Sequence, residues 1–531
     1  MQTLRRISQG IFLLLFLFLF LQTEAKGKDE LGYPVKIFLD FDPLIFVTTI
    51  LSAHTVQKAF YFSLIVIVAT MILGRVFCGW VCPLGTLNNI IGFFRKKHLD
   101  TATPVRNLRF LSGVNMNWHR TKYYILMFFL ASSVFSLQLA GIVDPLSLLI
   151  RSLSVSIYPA FNYGTKAVFD AVYNSNIKGI VDISEVVYSV FKKSILSFQQ
   201  PFYNQSAFIG ILFLFILGMN LVEKRFWCRH LCPLGALLGL LSRFSILKRT
   251  VSEGCTSCGA CASVCQGNAS PDKKEEWRDA ECLYCRNCDD VCPQNAVSFG
   301  FSGRKASASM DLGRRRVITS LVSGVVTVPL LRANPLSKAE VPNQTLIRPP
   351  GALEEKEFLK RCVKCGECMK VCITNGLQPT FLEAGLEGIW SPLLIPKIGY
   401  CEYRCTLCGQ VCPTGAIKKL DLKEKAKIKI GLAMIDKNRC LPYAHATPCI
   451  VCEEVCPTPK KAIWLEKAKV RDREGKEAVV QQPRVDLELC IGCGICETKC
   501  PVIDRPAIYV TSIGESRSKE NQLLLMQSEK Y

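Results

Sequence analysis

Cys255-Thr-Ser-Cys258-Gly-Ala-Cys261-Ala-Ser-Val-Cys265 and Cys282-Leu-Tyr-Cys285-Arg-Asn-Cys288-Asp-Asp-Val-Cys292-Pro293 decide what the middle of this chain folds around. Both follow the spacing of bacterial ferredoxin runs, in which three thiolates bind one [4Fe–4S] cluster and the fourth reaches the neighbouring cluster. Two such runs separated by one short stretch predict a two-cluster module with crossed ligands. Structural zinc is a weaker match, since it asks for two Cys-x2-Cys knuckles about 15–20 residues apart.

Working outward, four more runs occupy the distal part: Cys362/Cys365/Cys368/Cys372, Cys401/Cys405/Cys408/Cys412, Cys440/Cys449/Cys452/Cys456 and Cys490/Cys493/Cys496/Cys500. The outer two keep the plain spacing and the inner two insert residues before their second cysteine, so the spacing predicts nested pairing, outer with outer and inner with inner. Pro is missing after Cys265 and Cys372, where Gln266 and Ile373 stand, but no ligand is lost. Six runs take 24 of the 28 cysteines and predict six [4Fe–4S] clusters. A disulfide framework belongs to short secreted chains, not to 531 residues with thiols at metal-ligand spacing. No Cys-x-x-Cys-His for covalent haem occurs, and His54, His98, His119, His230 and His445 lie outside the long uncharged runs. Phosphate-cradling loops are also absent.

The last four cysteines form a repeat. Arg75-Val-Phe-Cys78-Gly-Trp-Val-Cys82-Pro-Leu-Gly and Arg225-Phe-Trp-Cys228-Arg-His-Leu-Cys232-Pro-Leu-Gly lie 150 residues apart. Cysteines at i and i+4 share a helix face. If the copies meet, four thiols converge at one site. It could bind a further metal centre, or it could exchange electrons as thiol and disulfide and shape a quinone site; both chemistries stay open.

Composition places these motifs in a membrane protein of several domains: 49% of residues are hydrophobic and 21% charged. Segments 7–21, 59–74, 123–143 and 206–222 contain no charge and run 15 to 21 residues, near the ~20 needed to cross hydrocarbon. The first also reads as a cleavable signal, with Arg5-Arg6 before a short apolar core. Between the second and third segments Arg95, Lys96, Lys97, Arg106, Arg109, Arg120 and Lys122 face the single acid Asp100, which orients that loop, and the stretch 224–249, to the cytoplasm. The third loop, about 144–204, is long and weakly amphipathic. A fifth apolar stretch, 317–331, comes after Arg314-Arg315-Arg316 and reads as a twin-arginine-like signal or a plain anchor. Either reading puts the residues beyond Arg332 outside the cytoplasm, and the four prolines of 334–351 then read as a linker.

The net charge of +21 acquires another meaning once cofactors are counted. An oxidised [4Fe–4S] core with four thiolates carries about −2, so six clusters subtract about 12 and remove the motive for nucleic-acid binding. Lys418, Lys419, Lys423, Lys425, Lys427 and Lys429 read as a solvated face, with docking of an acidic redox partner as the alternative.

On these motifs, positions 1–300 resemble the NapH-type membrane ferredoxin of periplasmic nitrate reductase systems, and the C-terminal part of the NosR regulator family. Positions 311–515, with the arginine-led signal, Arg348-Pro349-Pro350-Gly351-Ala352 and four runs, resemble the exported NapG/MauM-type polyferredoxin. The resemblance implies a natural fusion that oxidises quinol and delivers electrons outside the cytoplasm. The expected fold is an α-helical membrane bundle of four to five spans (1–249), a cytoplasmic two-cluster ferredoxin-like α+β module (250–300), a linker with a signal or anchor helix (301–352), an exported four-cluster domain (353–515) and a tail (516–531). Expected partners are the membrane quinol pool and an exported c-type cytochrome or reductase. No terminal catalytic site is visible, so the chain reads as a quinol-dehydrogenase-type component. Alternatives are a relay from a low-potential cytoplasmic donor and a redox maturation factor for an exported metalloenzyme.

Overall fold

The computed structural model describes all residues except 26–28, 56–59, 100–117, 176–177, 198, 270–276, 302–311, 333–342, 472–474, 476 and 523–531. The chain forms two compact units: Met1–Gln22 with Tyr33–Ser152 and Ala207–Leu330, and Thr23–Gly32 with Leu153–Ser206 and Leu331–Tyr531.

The first unit is mainly helical. Its N-terminal apolar segment forms Gln2–Gln22, the one helix among the described residues with the length and composition to cross a membrane. The other segments give shorter helices. Segment 59–74 becomes Tyr61–Leu73, and 206–222 becomes Ser206–Gly218 followed by a 3-10 turn. Thirteen residues reach about 20 Å, against the ~30 Å of a hydrocarbon core. Segment 123–143 is broken: helix Thr121–Val134 stops where the N–H groups of Phe135 and Ser136 turn back to the carbonyls of Ser132 and Ser133, and a separate turn, Ala140–Val143, comes after it. A further apolar helix, Pro43–Ala53, lies outside the four segments. Asp42 caps it, accepting from Leu44 N at 2.8 Å and Ile45 N at 3.3 Å. Stretch 317–331 lies inside helix Arg314–Arg332, which contains Pro329.

Ferredoxin-like modules recur three times on one plan, in which the segment before the first run pairs antiparallel with the segment after the second. In the first unit Leu247–Val251 pairs with Val297–Phe301, bracketing the runs that start at Cys255 and Cys282. In the second unit a bridge joins Ala352 to Ile417 around the runs of Cys362 and Cys401, and Leu432–Ile435 pairs with Ile508–Thr511 around those of Cys440 and Cys490. A hairpin, Ile463–Arg471 with Glu477–Val485, is inserted between the last two runs.

One stretch departs from the sequence reading. The described end of the proline-rich stretch, from residue 343, is built into the second unit. Arg348 is buried there, donating to both Glu355 carboxylate oxygens and to Pro392 O at 2.7 Å, while Leu394 N donates to Ile347 O. The weakly amphipathic third loop contributes helices Tyr158–Tyr173 and Lys178–Ser194 to the second unit, which meet through Phe169 and Tyr188.

Candidate metal centres

In the second unit each of four cavities is lined by four cysteines. One holds Cys362, Cys365 and Cys368 with Cys412; its counterpart holds Cys401, Cys405 and Cys408 with Cys372. A third holds Cys490, Cys493 and Cys496 with Cys456, and the fourth Cys440, Cys449 and Cys452 with Cys500. In every case three thiols come from one run and the last from its partner, as crossed ligation requires. The pairing corrects the nested expectation. Neighbouring runs pair, because the strands that close each module bracket consecutive runs, and the inserted residues in the Cys401 and Cys440 runs are absorbed locally.

The open space at the four sites, solvent at their mouths included, is about 370, 420, 330 and 360 Å³. Among the described residues no three His, Cys, Asp or Glu side chains close on a single metal ion. Zinc draws its sulfurs to about 2.3 Å from one centre, so these wider four-thiol sites fit a multi-iron core better.

Local sequence explains how a short loop presents its sulfurs. Lys364, Gly366, Gly492 and Gly494 all take left-handed backbone conformations, which turn the N–H groups of residues 364, 367, 492 and 495 onto the sulfurs of Cys362, Cys365, Cys490 and Cys493. A Cβ at Gly492 would sit 2.4 Å from Gly431 O, so that position admits only glycine. The fourth sulfurs are met similarly: Cys412 accepts from Ile417 N and Cys500 from Ala507 N, both at 3.4 Å.

In the first unit Cys265 lies within electrostatic reach of Cys282, Cys285 and Cys288, as expected for the crossed fourth ligand, and helices Ala260–Ser263 and Asn287–Asp290 pack together. Cys292 accepts from Ala296 N at 3.3 Å, and Cys265 accepts from Ala269 N at 3.3 Å. Cys255 and Cys261 are half-buried, whereas Cys258 is exposed. Gln266, which replaces the usual proline, is a junction. It accepts from Arg5 at 3.2 Å and donates to Asn89 at 3.0 Å, while its carbonyl accepts from Arg229 Nε at 2.8 Å. Proline has neither amide nor side-chain donor to do this.

The two Arg-x-x-Cys-x-x-x-Cys-Pro repeats do meet. Cys78, Cys82, Cys228 and Cys232 interact electrostatically as one group, and Asn88 donates to Cys228 Sγ at 3.5 Å. The first ferredoxin module covers them: Arg75 donates to Ala280 O at 2.8 Å, Trp80 to Tyr284 O at 3.2 Å, and Arg229, next in sequence to Cys228, to Cys265 O at 2.8 Å. Burial alone would push Glu223 up, but His230 and Arg229 hold its carboxyl down at about 2.

Sequence reading missed the cations. Arg75 and Arg225 stand three residues before a cysteine in both copies, which was a visible signal, and both are buried. Lys425 corrects the solvated-face reading. It is buried, its Nζ donates to the carbonyls of Glu402 and Cys405, and it interacts with the thiols of Cys401, Cys405 and Cys408, whereas Lys418, Lys419, Lys423 and Lys427 are exposed. Its place in a lysine-rich stretch hid it.

A family profile described as a 4Fe-4S binding domain matches residues 59–101 and 205–252, and another with the same description matches 483–502. The ferredoxin-type protein NapG of Escherichia coli K12 is 32% identical over 218 residues, covering 40% of this chain and 91% of the relative. The methylamine utilization ferredoxin-type protein MauM of Methylorubrum extorquens is 37% identical over 178 residues, 33% of this chain and 74% of the relative. MauM of Methylobacillus flagellatus is 33% identical over 202 residues, 37% and 79% of the two chains. No solved structure matches. Four-cysteine cavities and relatives covered over most of their length agree: the chain belongs to the NapG and MauM family of ferredoxin-type proteins and is an iron–sulfur electron carrier.

Proposed function

We propose that this chain is a membrane-bound conduit that takes electrons from quinol and passes them through six [4Fe–4S] clusters to an exported redox partner, as a fusion of NapH-like and NapG-like halves. Quinol oxidation releases two electrons and two protons. A cluster, when bound, supplies single-electron transfer. The chain's residues hold the clusters in crossed pairs and pack the four-thiol repeat directly under the first module.

One observation carries the reading. Residues 23–32 and 153–206, from two loops that lie on the outer side in the charge-based topology, fold into the same compact unit as the polyferredoxin. Lys370 Nζ donates to Thr23 O at 2.7 Å, Tyr203 to Met369 O at 3.1 Å, and Trp390 Nε1 to Gln205 at 3.0 Å. Residues 247–301, by contrast, fold with the helices whose connecting loop is basic. This division supports an outer polyferredoxin and an inner two-cluster module. Tyr61, Phe62, Ile65 and Val68 on one helix, and Phe208, Ile211, Leu214 and Phe215 on another, are exposed, which supports a lipid surface there. Burial of Arg5 supports a retained first helix.

The test is low-temperature EPR of anaerobic membranes holding the overexpressed protein, before and after a reduced menaquinone analogue. Cluster signals that appear with quinol, absent from membranes lacking the protein, are the expected result. A second reading, a relay from a low-potential cytoplasmic donor, is favoured by the exposure of Cys258, which opens one cluster to a soluble protein. Signals seen only with dithionite would select it.

A further inference from the structure

The third loop folds into a helical hairpin whose two faces differ in chemistry. Helices Tyr158–Tyr173 and Lys178–Ser194 run antiparallel: the ring of Phe169 lies 5.0 Å from that of Tyr188 and 6.3 Å from that of Phe191, while at the base Tyr158 donates to Ile195 O at 2.8 Å. Their seam takes Asn162, Thr165, Phe169 and Val172 from one helix and Val181, Ser184, Tyr188 and Phe191 from the other, none of them exposed and both sets at the three-four-three spacing of a single helix face. In both helices the residue just before each seam position is apolar or glycine and is exposed: Phe161, Gly164, Val168 and Ala171, then Ile180, Ile183, Val187 and Val190. Charge falls just after the seam, at Lys166 and Asp170, then at Asp182, Glu185 and Lys192. Antiparallel neighbours are related by a two-fold axis, so this equal phase puts both apolar stripes on one face of the hairpin and the charges on the other.

Two helices of about 25 Å, each about 10 Å wide, present roughly 500 Å² on that face, a size that marks an interaction site. Its composition matches hydrocarbon better than a protein partner. Val, Ile, Phe, Ala and Gly make it up, without the Tyr, Trp, Met or Arg that protein interfaces favour, and Tyr163 and Tyr173 stand on the charged flank, as phenol groups do at a headgroup boundary. Chain connectivity sets its level. Tyr158 also donates to Glu24 at 3.1 Å, and Glu24 is two residues beyond helix Gln2–Gln22, at most about 7 Å of extended chain from its end. On the other side Ser197 N donates to Asn162 at 2.9 Å, nine residues before helix Ser206–Gly218 with its exposed apolar surface.

We propose that this hairpin is an interfacial element whose apolar face, with Phe161, Val168, Ile183, Val187 and Val190, lies in the outer leaflet of the membrane while Lys166, Glu185 and Lys192 turn to water. The proposal rests on reading the chain as membrane-bound with the third loop on the outer side. Its consequence is positional. Lys370, between Cys368 and Cys372, lies over the ring of Tyr158 at 4.9 Å and donates to Thr23 O at 2.7 Å, so a hairpin seated on lipid holds that cysteine run at the bilayer surface.

The full-length protein with its clusters is reconstituted anaerobically in nanodiscs of phosphatidylethanolamine and phosphatidylglycerol, one chain to a disc, with the photocrosslinking residue benzoylphenylalanine placed at position 168, 183 or 185. Mass spectrometry after irradiation should find lipid adducts from positions 168 and 183 several-fold above those from 185. Equal yields at 183 and 185 would overturn the proposal, and crosslinks from 183 that join two chains in native membranes, in place of lipid adducts, would assign the face to a dimer. Should the labelled chains not accumulate, Ile183→Asp combined with Val187→Asp changes two exposed positions. Trypsin should then cut at Lys192 and Lys193 several-fold faster in the same discs, with iron content unchanged, whereas a rate equal to wild type rejects lipid seating. Release of the whole chain from membranes by alkaline carbonate would reject membrane attachment itself; a chain that stays in the membrane without lipid adducts at 168 and 183 rejects the seating of the hairpin alone.

Discussion

A buried lysine beside three cluster sulfurs acts on redox potential rather than on fold. Lys425 interacts with Cys401, Cys405 and Cys408, and its positive charge favours the reduced, more negative form of what they bind. Lys425→Gln should lower the potential of that one cluster. A charge-assisted contact of about 1.5–3 kcal/mol corresponds to roughly 60–130 mV for one electron, measurable by EPR-monitored titration. At the same scale, Cys500→Ser should disturb the cluster held by Cys440, Cys449 and Cys452 and spare the signal of the Cys490 site, the reverse of nested pairing. Spectral counting of the lost cluster reads this directly. The thiols that line the four cavities of the second unit were legible in the sequence because ligand spacing is a local property. The partner of each fourth cysteine was not, since it depends on which strands close a module, and neither was the difference between Lys425 and its exposed neighbours.

The elements that tie modules together carry polar residues in places where apolar patterning hides them. Arg5 and Gln9 in helix Gln2–Gln22 look like a charged leader and a minor interruption, yet Arg5 donates to Gln266 and Asn287 at 3.2 Å and Gln9 to Gly79 O at 2.7 Å. A cleaved signal would have no reason to bury such contacts. Intact mass measurement of the mature protein should therefore find residues 1–22 present. Arg5→Ala should destabilise the first unit by about 1–3 kcal/mol, because two amide side chains lose a buried donor; a lowered thermal transition with retained iron is the reading to expect. Helix existence was legible from the apolar segments, but helix length was not. Segment 123–143 breaks at Phe135 because nearby carbonyls of Ser132 and Ser133 capture the next N–H groups, a competition that hydropathy does not register. Strands of three to five residues around the cysteine runs were equally invisible, being fixed by partners far along the chain.

For the whole molecule, the cysteines themselves are core. Cys362, Cys365, Cys368, Cys440, Cys452, Cys490, Cys493 and Cys496 are buried, and the helices between them are four residues long, too short to persist alone. Removing iron with a chelator under reducing conditions should therefore abolish the folded signature of the second unit in circular dichroism and open it to protease, while the apolar helices of the first unit persist. Sidedness gives the sharper test, because it separates the two halves of the proposed conduit. In intact spheroplasts an added protease should reach exposed sites of the polyferredoxin such as Lys418 and Lys423, and should leave the half-buried Arg278 and Arg286 of the first module intact until the membrane is opened. The motive is the co-folding of 23–32 and 153–206 with the C-terminal region, since those segments and residues 331–531 must share one compartment to form their contacts. Cleavage of both modules from the same side would put the clusters in one compartment and leave the chain as a membrane-attached carrier with no transfer across the bilayer.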